Sequence, residues 1–147
     1  MRFKFKLESL LNHRQFVEEG LQKEFVFLGE RLSKEKLLEK QLREKHAHLA
    51  EELKIHLQEP KPVSENRLYV TYLACLADQI GRQQEKVQVA ESEKQAKKIQ
   101  LLKAVKKRKI LERLKENHTD QYHRFCLKKE QEVSDEIGIQ QYNRKTG

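Results

Sequence analysis

The sequence predicts an all-α fold, a long antiparallel two-helix coiled-coil hairpin, and three observations lead there. Apolar residues make up 37% of the chain and charged residues another 37%, where a globular domain runs nearer half and a quarter. Leu, Lys, Glu, Gln, Arg and Ala are abundant, and their side chains lose little rotamer freedom in a helix. The two prolines, Pro60 and Pro62, stand together and leave long stretches on either side free of the strongest helix breaker. At 147 residues the chain is expected to form a single coiled-coil domain.

Helix 1 is expected over about residues 6–58. Stepping from Leu7 alternately by four and three residues reaches Leu11, Arg14, Glu18, Leu21, Phe25, Leu28, Leu32, Glu35, Glu39, Leu42, His46, Leu49, Leu53 and His56. Nine of these fifteen positions are apolar. A seam held this long argues for a coiled coil over an isolated surface helix. Gly20 and Gly29 each cost about 1 kcal/mol relative to Ala, so the helix must lean on a partner.

The pattern breaks at a turn over residues 59–63, where two prolines lack amide donors and disfavour helix for the residue before each. Ser64 reads as the N-cap of helix 2, with Glu65 suited to the positive end of the helix dipole. Helix 2 is expected over about residues 64–133. Its seam is Tyr69, Leu73, Leu76, Ile80, Gln83, Val87, Ala90, Lys94, Lys97, Leu101, Ala104, Arg108, Leu111, Lys115, His118, Tyr122 and Phe125, eleven of seventeen apolar. Gly138 and a polar ending predict a flexible tail over residues 134–147.

A short Pro-containing turn between long helices favours an antiparallel hairpin. Folding there sets Leu53 opposite Leu73, Leu49 opposite Leu76 and Leu21 opposite Ala104. Helix 1 is then used up near His118, and the end of helix 2 projects beyond it.

Two helices do not readily supply the concave apolar walls of a catalytic pocket, so no enzyme activity, cofactor or small-molecule substrate is expected. Cys75 and Cys126 are too few and too far apart for a disulfide framework and fit a reduced cytoplasmic compartment. Residues 1–11 alternate charged and apolar side chains, unlike the continuous apolar core of a secretory signal. The histidines, His13, His46, His48, His56, His118 and His123, lack the i, i+4 spacing of a helical zinc site. Cys126 follows His123 by three residues without an evident third ligand, so no metal site is expected.

The strongest charge feature is the block from Lys94 to Lys115. It holds Lys94, Lys97, Lys98, Lys103, Lys106, Lys107, Arg108, Lys109, Arg113 and Lys115 against one acid, Glu112. Two readings stand side by side: a solvated surface balanced by Glu on helix 1, or a contact with something negative. Lys103, Lys106, Lys107, Arg108 and Lys109 are the candidate basic contact surface. Lys94, Lys97 and Arg108 fall on the seam, where buried charge is costly unless paired, so a loose seam or outward snorkelling is expected there. Nucleic acid is an alternative partner, but the block has none of the stacking aromatics that single-strand binders use. Apolar residues beyond the needs of the seam gather near the turn (Leu68, Val70, Tyr72). Others gather near the open end (Phe3, Phe5, Leu10, Phe16, Val17, Val26, Phe27), marking both ends as docking candidates.

The opening Met1-Arg-Phe-Lys-Phe-Lys-Leu-Glu-Ser-Leu-Leu-Asn-His-Arg14, with Glu18 and Glu19, resembles the start of FliJ-type proteins of the flagellar type III export apparatus. Asn66-Arg67-Leu68-Tyr69 with Leu73, Leu76 and Ile80, and the basic stretch Leu101–Leu114, sit where that family has them. The resemblance covers the whole chain, and virulence-type secretion counterparts share the architecture. It implies an antiparallel coiled coil similar to the γ stalk of rotary ATPases, a monomer when free. It further implies a cytoplasmic protein held peripherally at the inner membrane through the export apparatus. The open end would bind the hexameric export ATPase through Leu10, Arg14, Val17 and Leu21. The turn end would bind the cytoplasmic domain of the membrane export gate through Tyr72, Leu76, Gln79 and Gln83. Export chaperones are further implied partners.

Overall fold

The computed structural model describes residues 2–60 and 62–147. Two helices, α1 (Glu8–Leu57) and α2 (Val63–Thr146), pack against each other as an antiparallel hairpin, with no strand among the described residues. Of the turn expected over 59–63, residue 61 lies outside the described residues. The chain divides into two compact units, each drawing on both helices: Gly20–Leu102, and Met1–Glu19 with Lys103–Gly147.

All four helix ends differ from expectation, three of them by one or two residues. α1 opens at Glu8, where the Glu8 amide donates to the Phe5 carbonyl at 3.3 Å and the acid faces the positive end of the dipole. It closes at Leu57, where the Gln58 and Glu59 amides donate to the Ile55 and His56 carbonyls at 3.2 and 3.3 Å, the tighter bonds usual in a last turn. α2 starts at Val63, so Ser64 lies inside the first turn and is not its cap. The Pro62 carbonyl instead accepts the Glu65 amide at 3.1 Å, and a proline costs little where the amide has no partner anyway.

α2 also passes the boundary expected near residue 133 and runs to Thr146. Every residue from 127 onward is exposed, so packing does not hold this stretch. Extending a helix already nucleated upstream avoids the nucleation cost, and residues 127–146 contain no proline and a single glycine, Gly138.

The unit of Gly20–Leu102 buries Leu32, Val87 and Ala90 as one cluster, with Leu76 and Gln83 also buried. The other unit buries Phe5, Leu11 and Ala104. These positions, Phe5 apart, all lie on the seams expected from the 4–3 stepping, which carries the register into three dimensions.

Candidate functional site

Charged side chains occupy seam positions, and Glu18, Glu35, Lys97, Arg108 and Lys115 find partners across the hairpin. In the Gly20–Leu102 unit, Lys97 Nζ meets Glu24 Oε2 at 2.5 Å, and Lys94 Nζ lies 5.4 Å from the centroid of the Phe25 ring, within cation–π range. Gln83 is 6% exposed and its Nε2 donates to the Glu35 main-chain carbonyl at 2.9 Å and to the Glu35 carboxylate. A single polar rung of this kind specifies register at some cost in stability. Exposed pairs Arg31–Glu93 and Lys36–Glu91, both at 3.3 Å, flank the seam and contribute little individually.

A Cβ built on Gly29 would meet Lys94 Cε and Nζ at 3.7 Å, an ordinary contact. Gly29→Ala is therefore expected to stabilise the chain by about 0.5–1 kcal/mol through helix propensity. The measurement is urea unfolding, with a raised midpoint at unchanged slope.

The other unit repeats the scheme. The Arg108 guanidinium is held by Glu18 and, at 2.7 Å, by Glu112, and these hydrogen bonds push its pKa further above its ordinary value. Lys115 meets Glu8 at 2.8 Å. Phe5 packs edge-on to His118 with centroids 5.8 Å apart, and Phe3 lies 5.4 Å from Tyr122. A hydrogen bond with Cys126, aided by burial, raises the pKa of the Tyr122 hydroxyl. The loose or snorkelling seam expected at Lys94, Lys97 and Arg108 is thus replaced by cross-helix pairing, because Glu24 and Glu18 of α1 face Lys97 and Arg108 and the Phe25 ring faces Lys94.

The candidate residues divide by exposure. Leu10 (38%) and Val17 (37%) are exposed, and Arg14 is half-buried beside the buried Leu11. Leu21, in the Gly20–Leu102 unit, is half-buried. Phe16 stands 74% exposed on α1, whereas Phe5 is buried and packs instead of presenting a docking surface. Near the turn, Tyr72 and Gln79 face solvent while Leu76, 3% exposed, lies inside the seam with Gln83. Lys103, Lys106, Lys107 and Lys109 are exposed, and Arg108 is turned inward to its carboxylates.

A flagellar FliJ protein family model matches residues 3–147. The chain belongs to the FliJ family. No curated protein and no solved structure matches it. FliJ membership makes the chain a component of flagellar type III protein export, in a non-catalytic family. No helix among the described residues is long and apolar enough to cross a membrane.

In this FliJ-family chain the buried Gln83 also lines a groove of about 570 Å³ with Leu38, Leu42, Lys45 and His48 of α1. Sequence reasoning assigned Gln83 to the turn-end face but missed its α1 neighbours. Leu42 was visible only as a seam position, and Leu38, just under half exposed, lies off the expected seam. Its proximity to Gln83 depends on how α2 crosses α1, which one helix's periodicity does not encode.

Proposed function

We propose that the chain is a non-enzymatic stalk of the flagellar export machinery. It binds the hexameric export ATPase and promotes its assembly and activity. It also couples that ATPase to the cytoplasmic domain of the membrane export gate, and it escorts export chaperones. The observation that supports this reading best is in the unit with both termini. There Leu10 and Val17 stay exposed on α1 while Leu11 and Phe5 fill the seam, so apolar side chains remain for a partner after the hairpin is packed. Arg14 between them supplies charge at the edge of that face. At the turn end, exposed Tyr72 and Gln79 and the groove beside Gln83 supply the surface for the gate.

The test is ATP hydrolysis by the export ATPase of the same organism, with the wild type and with Leu10→Asp/Val17→Asp. Wild type is expected to raise hydrolysis or hexamer formation. The double variant is expected to keep its helical circular dichroism and bind the ATPase about 10-fold or more weakly, since two interfacial apolar groups become charged. Equal stimulation by both proteins would remove this face from the ATPase contact, and no stimulation or association with either would remove the stalk reading.

A further inference from the structure

Three acids beside the basic block, Glu8 and Glu18 of α1 and Glu112 of α2, are engaged at the seam. Glu18 and Glu112 hold Arg108, and Glu8 holds Lys115. The outward cations Lys103, Lys106, Lys107, Lys109 and Arg113 are exposed, and none of them forms an ion pair among the described residues. Positions 103, 106, 107, 110 and 113 are spaced by threes and fours and so share one face of α2. At its middle stands Ile110, 67% exposed.

We propose that the outward face of α2 carrying Lys103, Lys106, Lys107, Ile110 and Arg113 docks on an anionic lipid surface. The chemistry of the face selects that partner. Three of its four unpaired cations are lysines, compact point charges on flexible stems, suited to a diffuse negative layer more than to forked recognition of single phosphates. It has no aromatic side chain for stacking on bases. One exposed isoleucine ringed by lysines matches the headgroup–acyl boundary, where the apolar group dips in and lysine stems reach back to the phosphates. A cluster of four to eight basic residues on one helix face is also the size that anionic bilayers attract. The face lies on α2, in the same unit as Leu10 and Val17 of α1 but on the other helix, so the lipid contact can fail while the ATPase and gate contacts proposed above stand.

The experiment is vesicle flotation of the full chain at about 0.1 M salt, where the Debye length is about 10 Å. One set of vesicles is pure phosphatidylcholine, and the other has a quarter of that lipid replaced by phosphatidylglycerol. Binding to the anionic vesicles alone is expected, weakening as salt rises. Lys103→Gln/Lys106→Gln/Lys107→Gln should lower partitioning by on the order of 100-fold, about 5-fold per charge removed. Lys23→Gln/Lys34→Gln/Lys86→Gln, which removes the same net charge from other exposed positions, should lower it by no more than about 3-fold, since lysines beyond a Debye length of the bilayer contribute little. Circular dichroism confirms that both triple variants remain helical. Three outcomes would overturn the proposal: no binding to anionic vesicles, an equal loss in both triple variants, or tighter binding of a single-stranded oligonucleotide than of the vesicles at the same salt.

Discussion

Phe5→Ala is expected to cost about 3 kcal/mol of stability, the low end for truncating a buried phenylalanine, because a thin two-helix seam can partly collapse around the gap. Phe5 precedes α1, yet it is 5% exposed, packed edge-on to His118 and tied to the helix start by the Glu8 amide on its carbonyl. It anchors the irregular segment over residues 2–7, and Phe3 on Tyr122 is the second contact of that segment. Denaturant unfolding followed by circular dichroism measures the loss. Limited proteolysis should show earlier cleavage near Lys4 and Lys6, because local opening there becomes cheaper. A loss under about 1 kcal/mol would mean that the segment is held by something other than this ring.

Leu76→Ala is the second large effect, expected to cost about 2–3 kcal/mol. Leu76 is 3% exposed in the Gly20–Leu102 unit, and truncation leaves a void that its seam neighbours refill incompletely. The comparison that gives this meaning is Tyr72→Ala, one turn earlier on α2 and 52% exposed. Tyr72→Ala should leave the unfolding midpoint within about 0.5 kcal/mol of wild type, as surface changes usually do, while weakening any contact with the export gate. Leu76→Ala should weaken that contact only as far as it unfolds the hairpin. Stability and gate binding measured on both variants separate a residue that touches the partner from one that positions those that do. If Leu76→Ala lowers gate binding while stability is unchanged, its side chain contacts the gate directly.

The seam explains which parts of the site were legible. Leu76 and Gln83 stand on the 4–3 stepping of helix 2, so their burial follows from the same periodicity that predicts the helix. The family resemblance implies a gate contact for them, whereas in the structure both are buried in the seam and Tyr72 and Gln79 are exposed. Arg108 repeats the point within the basic block. Its seam position marked it as different from Lys103, Lys106, Lys107 and Lys109, and it is the one turned toward Glu18 and Glu112. The extension of α2 to Thr146 was not legible from the seam, because a seam reports packing and this segment is helical without it.

The sequence by itself determined the two helices, the break at Pro60 and Pro62, the antiparallel pairing and the FliJ family, because hydrophobic period, helix breakers and the N-terminal pattern are local properties of the chain. Only the tertiary structure decided which charges are neutralised. Glu24 with Lys97, Glu18 with Arg108 and Glu8 with Lys115 join residues distant in sequence. Composition counts these charges and periodicity places them on a face. Which acid reaches which cation depends on side-chain direction across the seam, and that direction is set when one helix packs on the other. The same packing engages Glu8, Glu18 and Glu24 with seam cations, while Lys103, Lys106 and Lys107 on the outer face of α2 form no ion pair among the described residues.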